Sequence, residues 1–147
     1  MEAGIRMQIE WQCRNLCYEF AYLIDTRQYS KLAALFAEDG VFDRVGQVLR
    51  GRQDIVEALL NRSSELRTRH VCNNIHFIEV GPDVARAVVY NTTLVGKGDP
   101  EGMPAPYGMS QGAFLEFRDL YRRTADGWRF GERKASVVLM PPDMPSH

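Results

Sequence analysis

The chain has 147 residues, of which 45% are hydrophobic and 25% are charged. A domain of this length buries enough surface to fold without a metal ion or a disulfide. The net charge of −1 leaves no basic excess for nucleic acid, and three cysteines are too few for a disulfide scaffold. No stretch approaches the roughly 20 apolar residues of a membrane helix. The first ten residues alternate charged and apolar side chains and lack the apolar core of a signal peptide. We therefore expect a cytoplasmic protein that binds neither nucleic acid nor membranes.

The first predicted element is a long helix from Ile5 to about Arg27. At about 100° per residue one apolar stripe should face the core, and it consists of Ile5, Ile9, Cys13, Leu16, Phe20, Leu23 and Ile24. The opposite face carries Trp11, Tyr18, Tyr22 and Asp25 where a surface helix usually carries charges. That face is either a dimer interface or second core layer, or the wall of a ligand cavity.

Short elements follow the first helix. Tyr29–Phe36 has the pattern of a short helix, and Gly40 is a plausible turn residue. Two extended runs, Val41–Val45 and Gln47–Arg50, meet at a glycine as in a hairpin. A third helix is predicted from Gly51 to about Arg67.

Four long strands are predicted in the second half of the chain. They are Val71–Val80, Ala85–Val95, Ala113–Arg123 and Trp128–Leu139. Lys97–Ser110 holds three glycines and three prolines and is predicted to be a functional loop. Helices followed by strands indicate an α+β fold with helices over one face of a curved antiparallel sheet. We expect one domain over residues 1–140 and a flexible tail over 141–147.

The histidines are the first candidates for chemistry. His70 and His76 are an even number of residues apart on one predicted strand, so we expect them to share a face with Asn74. Six residues separate them by roughly 20 Å, too far for a common metal ion, and no metal site is predicted. One histidine can still act as a general acid or base beside a carboxylate. Otherwise His70 is a partly buried structural residue.

Several short groups of residues, in order along nearly the whole chain, resemble a known family. They are Asp25 with Tyr29 and Leu32, Leu35–Asp43, Gly51–Ile55, Thr68–Val71 with Asn74, Asp119 with Tyr121–Arg123, Asp126–Trp128, and Glu132-Arg133. They resemble the SnoaL-like family of the nuclear transport factor 2-like superfamily. The resemblance implies a cone-shaped α+β fold, in which about three helices pack on a strongly curved antiparallel sheet and enclose a pocket.

The resemblance also implies a function. Most enzymes of this superfamily move protons on hydrophobic ring compounds without a metal or an organic cofactor, and many pair with a second copy of themselves. By position, the implied catalytic residues are His70, Asp25 and Tyr22, with Tyr22 hydrogen-bonded to the developing oxyanion. The candidate substrate-binding residues are Trp11, Tyr18, Asp43, Asn74, Asn91, Asp119 and Arg133.

Some of these candidates have a structural alternative. Asp43 can serve a turn, and Asp119 can pair with Arg122 or Arg133. The leading hypothesis is a cofactor-independent dehydratase, isomerase or cyclase that acts on a small hydrophobic ring compound and forms a homodimer. The alternatives are a non-catalytic β-type subunit of an aromatic-ring dioxygenase and a small-molecule-binding module without turnover.

Overall fold

The computed structural model describes residues 1–98, 102, 104–106 and 112–142. These residues form three helices and six strands. In chain order they are α1 Ala3–Asp25, α2 Tyr29–Ala33, β1 Phe36–Arg44, β2 Gln47–Arg50, α3 Gly51–Leu60, β3 Leu66–Val80, β4 Val84–Lys97, β5 Ala113–Thr124 and β6 Gly127–Leu139. Most of the predicted Lys97–Ser110 loop and of the 141–147 tail lies outside the described residues.

The six strands form one sheet in the order β2-β1-β6-β5-β4-β3. The expectation of a wholly antiparallel sheet was wrong, because β1 and β6 run parallel while the other neighbours are antiparallel. Parallel neighbours need a long connection, and here the rest of the sheet and α3 separate the two strands along the chain. The α+β class was predicted correctly.

The start of β1 was predicted as the end of a helix. Helix α2 stops at Ala33, and the carbonyl oxygen of Leu35 accepts a hydrogen bond of 2.9 Å from the backbone N–H of Phe130. Residues from Phe36 onward therefore belong to the sheet and not to the helix. Gly40 lies inside β1 and is not at a turn. A Cβ there would lie 2.9 Å from the carbonyl oxygen of Ala37 and 3.0 Å from that of Phe130.

The predicted third helix was seven residues too long. Helix α3 ends at Leu60, and β3 begins at Leu66. The connection between them is held by Arg27, whose guanidinium donates hydrogen bonds to the carbonyl oxygens of Ser63, Ser64 and Leu66. Arg27 follows α1 with a positive φ of 59°, the position where helices commonly end with glycine. Its long side chain thus joins the end of α1 to the start of β3.

Helix α1 packs its apolar stripe on the sheet. All of the predicted stripe is buried except Ile5, which is 48% exposed near the helix start. Phe20 is at the centre, with edge-on ring contacts to Phe36, Phe42, Phe117 and Phe130 at centroid distances of 5.5–6.3 Å. This aromatic cluster joins α1 to three strands of the sheet.

A β-bulge interrupts β3. His70 pairs with Thr93 and Cys72 with Asn91, but the register shifts by one residue before Ile75 pairs with Val89. Two residues of β3 therefore oppose one of β4, and the side-chain alternation reverses. The prediction that His70 and His76 share a face was wrong for this reason, since His76 is exposed.

The described residues contain neither a candidate membrane span nor a candidate metal centre. No helix in that part of the chain is long and apolar enough to cross a membrane. Within the same residues no group of three or more His, Cys, Asp or Glu side chains is placed to hold a metal ion.

Candidate active site

The end of α1 meets the start of β3 at a buried carboxylate. The side chain of Asp25, the last residue of the helix, is 7% exposed, and that of His70 is 11% exposed. The Nδ1 atom of His70 lies 2.6 Å from Oδ1 of Asp25, and the backbone N–H of His70 donates to Oδ2 at 2.9 Å. The hydroxyl of Thr68 donates to Oδ1 at 2.8 Å.

These contacts determine what the imidazole of His70 can do. An ionised Asp25 accepts hydrogen bonds only, so Nδ1 carries a hydrogen towards it. In the neutral ring the lone pair is then on Nε2, which has no protein partner within the described residues. The pair is arranged so that Nε2 can accept or deliver a proton while the carboxylate stabilises the charged ring.

His70 lines a cavity of about 510 Å³ between helix α1 and the sheet. Most of the wall is apolar or aromatic: Phe20, Ile24, Phe42, Val45, Leu66, Val95, Ala113, Leu115, Phe117, Ala135 and Val137. The polar lining residues are Arg44, Gln47, Arg62, Thr68, His70 and Thr93. A mostly apolar cavity with a few converging polar groups is typical of a small-molecule site. Another depression of about 310 Å³, between Thr92 and Pro142, is lined by no titratable side chain.

Thr93 faces His70 across the two strands. The residues are directly paired in the β3–β4 register, which places their Cβ atoms about 5 Å apart. The hydroxyl oxygen of Thr93 accepts a hydrogen bond of 2.8 Å from the amide of Asn91, which is 2% exposed. Among the described residues the Thr93 hydroxyl donates to no acceptor, so its hydrogen is available to a ligand. Asn91, a predicted substrate-binding residue, is not among the residues that line the cavity and acts on Thr93 instead.

The β1–β2 hairpin tip forms one side of the cavity. Its two-residue turn, Val45-Gly46, has positive φ angles of 52° and 92°, as a type I′ turn requires. A β-branched residue is strained there, and asparagine or glycine would be usual. Nevertheless Val45 lines the cavity together with Arg44 and Gln47. Asp43, another predicted binding residue, accepts a hydrogen bond of 2.8 Å from the backbone N–H of Gly46. It serves the turn and does not line the cavity.

The aromatic face of α1 does not line this cavity. Trp11, Tyr18 and Tyr22 are 64%, 49% and 63% exposed in the single chain. This face therefore does not form the expected wall of the His70 cavity, because the buried residues of α1 are those of the apolar stripe together with Cys17 and Ala21 beside it. Three residues turn a helix by about 300°, so Asp25 lies about 60° round from Tyr22 and can be buried while Tyr22 is not. Trp11 instead borders a separate groove beside Trp128.

Asp119 and Arg133 form a closed ion pair in the core. Both side chains are fully buried, and the guanidinium contacts the two carboxylate oxygens at 2.9 and 3.0 Å. The hydroxyl of Tyr121 donates to the same carboxylate at 2.8 Å. The guanidinium carbon lies 4.0–4.5 Å from the ring centroids of Phe20, Phe117 and Phe130. The pairing of Asp119 with Arg133, left open by the sequence, is what the structure shows.

The surroundings of Arg133 keep it charged. Burial alone would lower the pKa of its guanidinium, but the charge of Asp119, the electrostatic effects of Cys17 and Tyr121 and the hydrogen bonds to Asp119 together hold the pKa above its ordinary value. Neither Asp119 nor Arg133 lines the His70 cavity, so the structure gives the pair a place in the core and brings neither residue to the candidate substrate site. Asn74 is exposed beside the bulge of β3, where it borders a depression that does not contain His70.

Residues 6–134 match the SnoaL-like domain family. The chain belongs to this family. No curated protein matches the sequence. Structures of nuclear transport factor 2-like proteins share the fold of this SnoaL-like domain, and three of them illustrate the range.

One is a Novosphingobium aromaticivorans protein proposed to be a scytalone dehydratase, with 17% identity, a TM-score of 0.76, and coverage of 97% of this chain and 90% of that one. Another is a Streptomyces avermitilis protein of the nuclear transport factor 2-like family, proposed to be a dehydratase. It has 21% identity and a TM-score of 0.73, and the match covers 90% of this chain and 98% of that one. A Mycobacterium tuberculosis protein of unknown function has 25% identity and a TM-score of 0.74, and the match covers 97% of this chain and 80% of that one.

Sequence reasoning missed five polar residues of the cavity. They are Arg44, Gln47, Arg62, Thr68 and Thr93, although Thr68 lies in a motif of the SnoaL-like resemblance. Strand alternation could have found two of them. Thr68 is two residues from His70 on β3, and Arg44 is two residues from the buried Phe42 on β1.

Proposed function

We propose that the protein is a cofactor-independent acid/base enzyme of the dehydratase, isomerase or cyclase type. Its substrate is a small, largely apolar ring compound that binds in the cavity. The observation that carries this proposal is the 2.6 Å contact between His70 and Asp25 at the cavity wall. Membership of the SnoaL-like family, and fold neighbours proposed to be dehydratases, support the same class of reaction.

His70 is the proton-transfer group in this proposal. Its Nε2 removes a proton from carbon next to a carbonyl group, or delivers one to a leaving hydroxyl. Asp25 is a positioning residue: it holds the ring in the tautomer with Nε2 unprotonated and stabilises the imidazolium after proton transfer. The hydrogen bonds from Thr68 and from the His70 backbone keep the carboxylate in place.

Charge that develops on the substrate oxygen needs a donor close to His70. Thr93 meets this need, because it lies opposite His70 and its hydroxyl hydrogen is available. A positioned donor stabilises a developing oxyanion more than the neutral ground state and so lowers the barrier. Tyr22, the donor expected from the resemblance, has no place in the proposal because its side chain is exposed.

Isotope exchange tests the proposal without knowledge of the natural reaction. Wild-type protein is incubated in D2O with a panel of cyclic ketones and hydroxylated ring ketones. Deuterium uptake, isomerisation and loss of water are followed by NMR and mass spectrometry. With the compound that reacts, His70→Ala should lower the rate about 10²- to 10⁴-fold, the usual contribution of a general acid or base. Asp25→Asn should also lower it.

Tyr22→Phe is the matched control. It changes an aromatic hydroxyl three residues from Asp25 but outside the cavity, and it should keep the wild-type rate. Full turnover by both His70→Ala and Asp25→Asn would contradict the proposed mechanism. Compounds that bind in the cavity and never react would favour a binding module. Co-purification with a large iron–sulfur protein would favour a dioxygenase subunit. The homodimer stays a prediction that a mass measurement in solution decides.

A further inference from the structure

We infer that the substrate of the His70 cavity is an organic anion, and that its carboxylate binds Arg44 at the tip of the β1–β2 hairpin. The inference rests on the proposed function, because it takes this cavity to be the substrate site. It adds a feature that proton transfer at His70 does not require, namely a permanent negative charge on the apolar ring compound.

The cavity wall is unbalanced in charge. Its lining residues include the guanidinium groups of Arg44 and Arg62 and the imidazole of His70, whereas no aspartate or glutamate of the described chain lines it. Asp25 lies beside His70 and accepts the hydrogen bonds of that ring and of Thr68. Low-dielectric walls that carry charge of one sign concentrate ligands of the opposite sign.

The two arginines differ in what they bind. Arg62 is held by the protein, because it donates to the carbonyl oxygen of Ile24 and the hydroxyl of Tyr29, both at 3.1 Å, and to Thr68 at 3.3 Å. Arg44 makes no hydrogen bond and no ion pair with any described residue. Its donors are therefore available to a ligand.

Arg44 is only partly exposed, so its charge is not fully solvated. Burial lowers the pKa of its guanidinium, the positive charge of Arg62 lowers it further, and Tyr29 opposes both effects. Arginine nevertheless remains protonated. A partly buried, unpaired guanidinium beside a second cation is unfavourable in the free protein, and a bound carboxylate would remove that cost.

The shape of the site favours a carboxylate attached to a flat ring. A guanidinium presents parallel N–H donors that match the two oxygens of a carboxylate. The aromatic wall formed by Phe20, Phe42 and Phe117 can hold the ring. Arg44 comes from β1, one strand in from the β2 edge of the sheet, and His70 comes from β3 at the other edge, so the anchoring group and the proton-transfer group belong to different strands of the cavity wall.

The test compares two probes of nearly equal shape, 2-naphthoate and 2-naphthamide, by calorimetry with the full chain at neutral pH and low salt. Wild-type protein should bind 2-naphthoate about tenfold or more tightly than the amide, since hydrogen bonds between charged groups are stronger than those to a neutral amide. Arg44→Gln should reduce this ratio to about one, mainly by weakening the binding of 2-naphthoate. Arg44→Lys should keep part of the preference.

Arg50→Gln is the matched control. It removes the same charge from the same hairpin, but Arg50 is exposed and does not line the cavity, so the ratio should not change. Because Arg44 has no described partner, Arg44→Gln should fold with a melting temperature at least equal to that of wild type. If 2-naphthoate binds no better than 2-naphthamide, or if Arg44→Gln keeps the preference, the inference is overturned.

The result of this binding test can be distinguished from the result of the turnover test of the proposed function. His70→Ala should keep the preference for 2-naphthoate, because binding of the carboxylate does not depend on proton transfer. If the preference for 2-naphthoate depends on Arg44 but His70→Ala keeps full turnover, the inference stands and the acid/base proposal is refuted. If His70→Ala loses turnover but the wild-type protein does not prefer either probe, the acid/base proposal stands and the inference is refuted.

Discussion

Replacement of Arg133 by methionine should be among the most damaging single changes in this chain. Methionine fills part of the space between the three phenylalanine rings but leaves the Asp119 carboxylate buried without a cation. Removal of one partner from a buried ion pair costs about 3–5 kcal/mol. Since a stability loss of 1 kcal/mol lowers the melting temperature of a domain this size by about 2–4 °C, we expect a decrease of roughly 6–20 °C.

A double-mutant cycle separates the pair from its surroundings. Asp119→Asn keeps an acceptor for the hydroxyl of Tyr121 and removes the charge. The double variant with Arg133→Met should be more stable than Arg133→Met alone, with a coupling energy of about 2 kcal/mol or more. Urea unfolding followed by circular dichroism measures all four proteins, and an unchanged m-value shows that the unfolded state is comparable. If Arg133→Met lowers the free energy of unfolding by less than about 1 kcal/mol and the cycle shows no coupling energy, the pair is solvated. Asp119 and Arg133 would then again be candidates for substrate binding.

Two further predictions concern strain and pH. Val45→Asn should raise the free energy of unfolding by about 1 kcal/mol, because asparagine tolerates the positive φ of the turn better than valine; a lower melting temperature would contradict this. Burial, with smaller contributions from Asp119 and Glu10, raises the pKa of the Cys13 thiol from 9.0 to about 12. Above pH 9 the unfolded chain loses this proton while the folded chain keeps it, so the free energy of unfolding should fall by up to about 1.4 kcal/mol per pH unit. Urea titrations at pH 8, 9 and 10 measure the slope, Cys13→Ser should reduce it, and a stability that stays constant over this range would refute the assignment.

Elements that depend on local periodicity could be predicted well. The apolar stripe of α1 follows from its spacing, and six of its seven residues are buried. The four long strands β3 to β6 were predicted because β-branched and aromatic residues alternate between turn signals, and their observed ends lie within five residues of the predicted ones. In these segments packing against the rest of the fold agrees with the local pattern.

Errors arose where distant parts of the chain decide the local structure. Leu66 continues an apolar helical pattern, but it begins β3 because β4 pairs with it at Lys97. The parallel pairing of β1 with β6 joins residues about 90 positions apart and has no local signal. The bulge after Cys72 changes the face of the residues that follow it, up to a second register shift between Phe77 and Glu79, and periodicity alone does not show an inserted residue.

The same limit explains the candidate site. Asp25 and His70 lie in short motifs of the family resemblance, and the structure brings them together. Tyr22, Tyr18 and Trp11 were selected because they share a helix face, yet whether a face is covered depends on how the other elements pack on it. It could not be anticipated that Arg44 has no partner among the described residues, because a free guanidinium is recognised only when its surroundings are known.

A comparison of Asp25 with Asp119 shows why we propose a part in proton transfer for only one of the two buried carboxylates. Both are nearly inaccessible, and both face a cationic or protonatable partner. The partner of Asp119 is an arginine, which keeps its charge, and the closed aromatic cage around it gives a substrate no access. The partner of Asp25 is a histidine, a side chain that can act as a general acid or base, and it borders the cavity. Burial and pairing are therefore not sufficient signs of a catalytic carboxylate; access to a cavity and a partner that can change its protonation state are also needed.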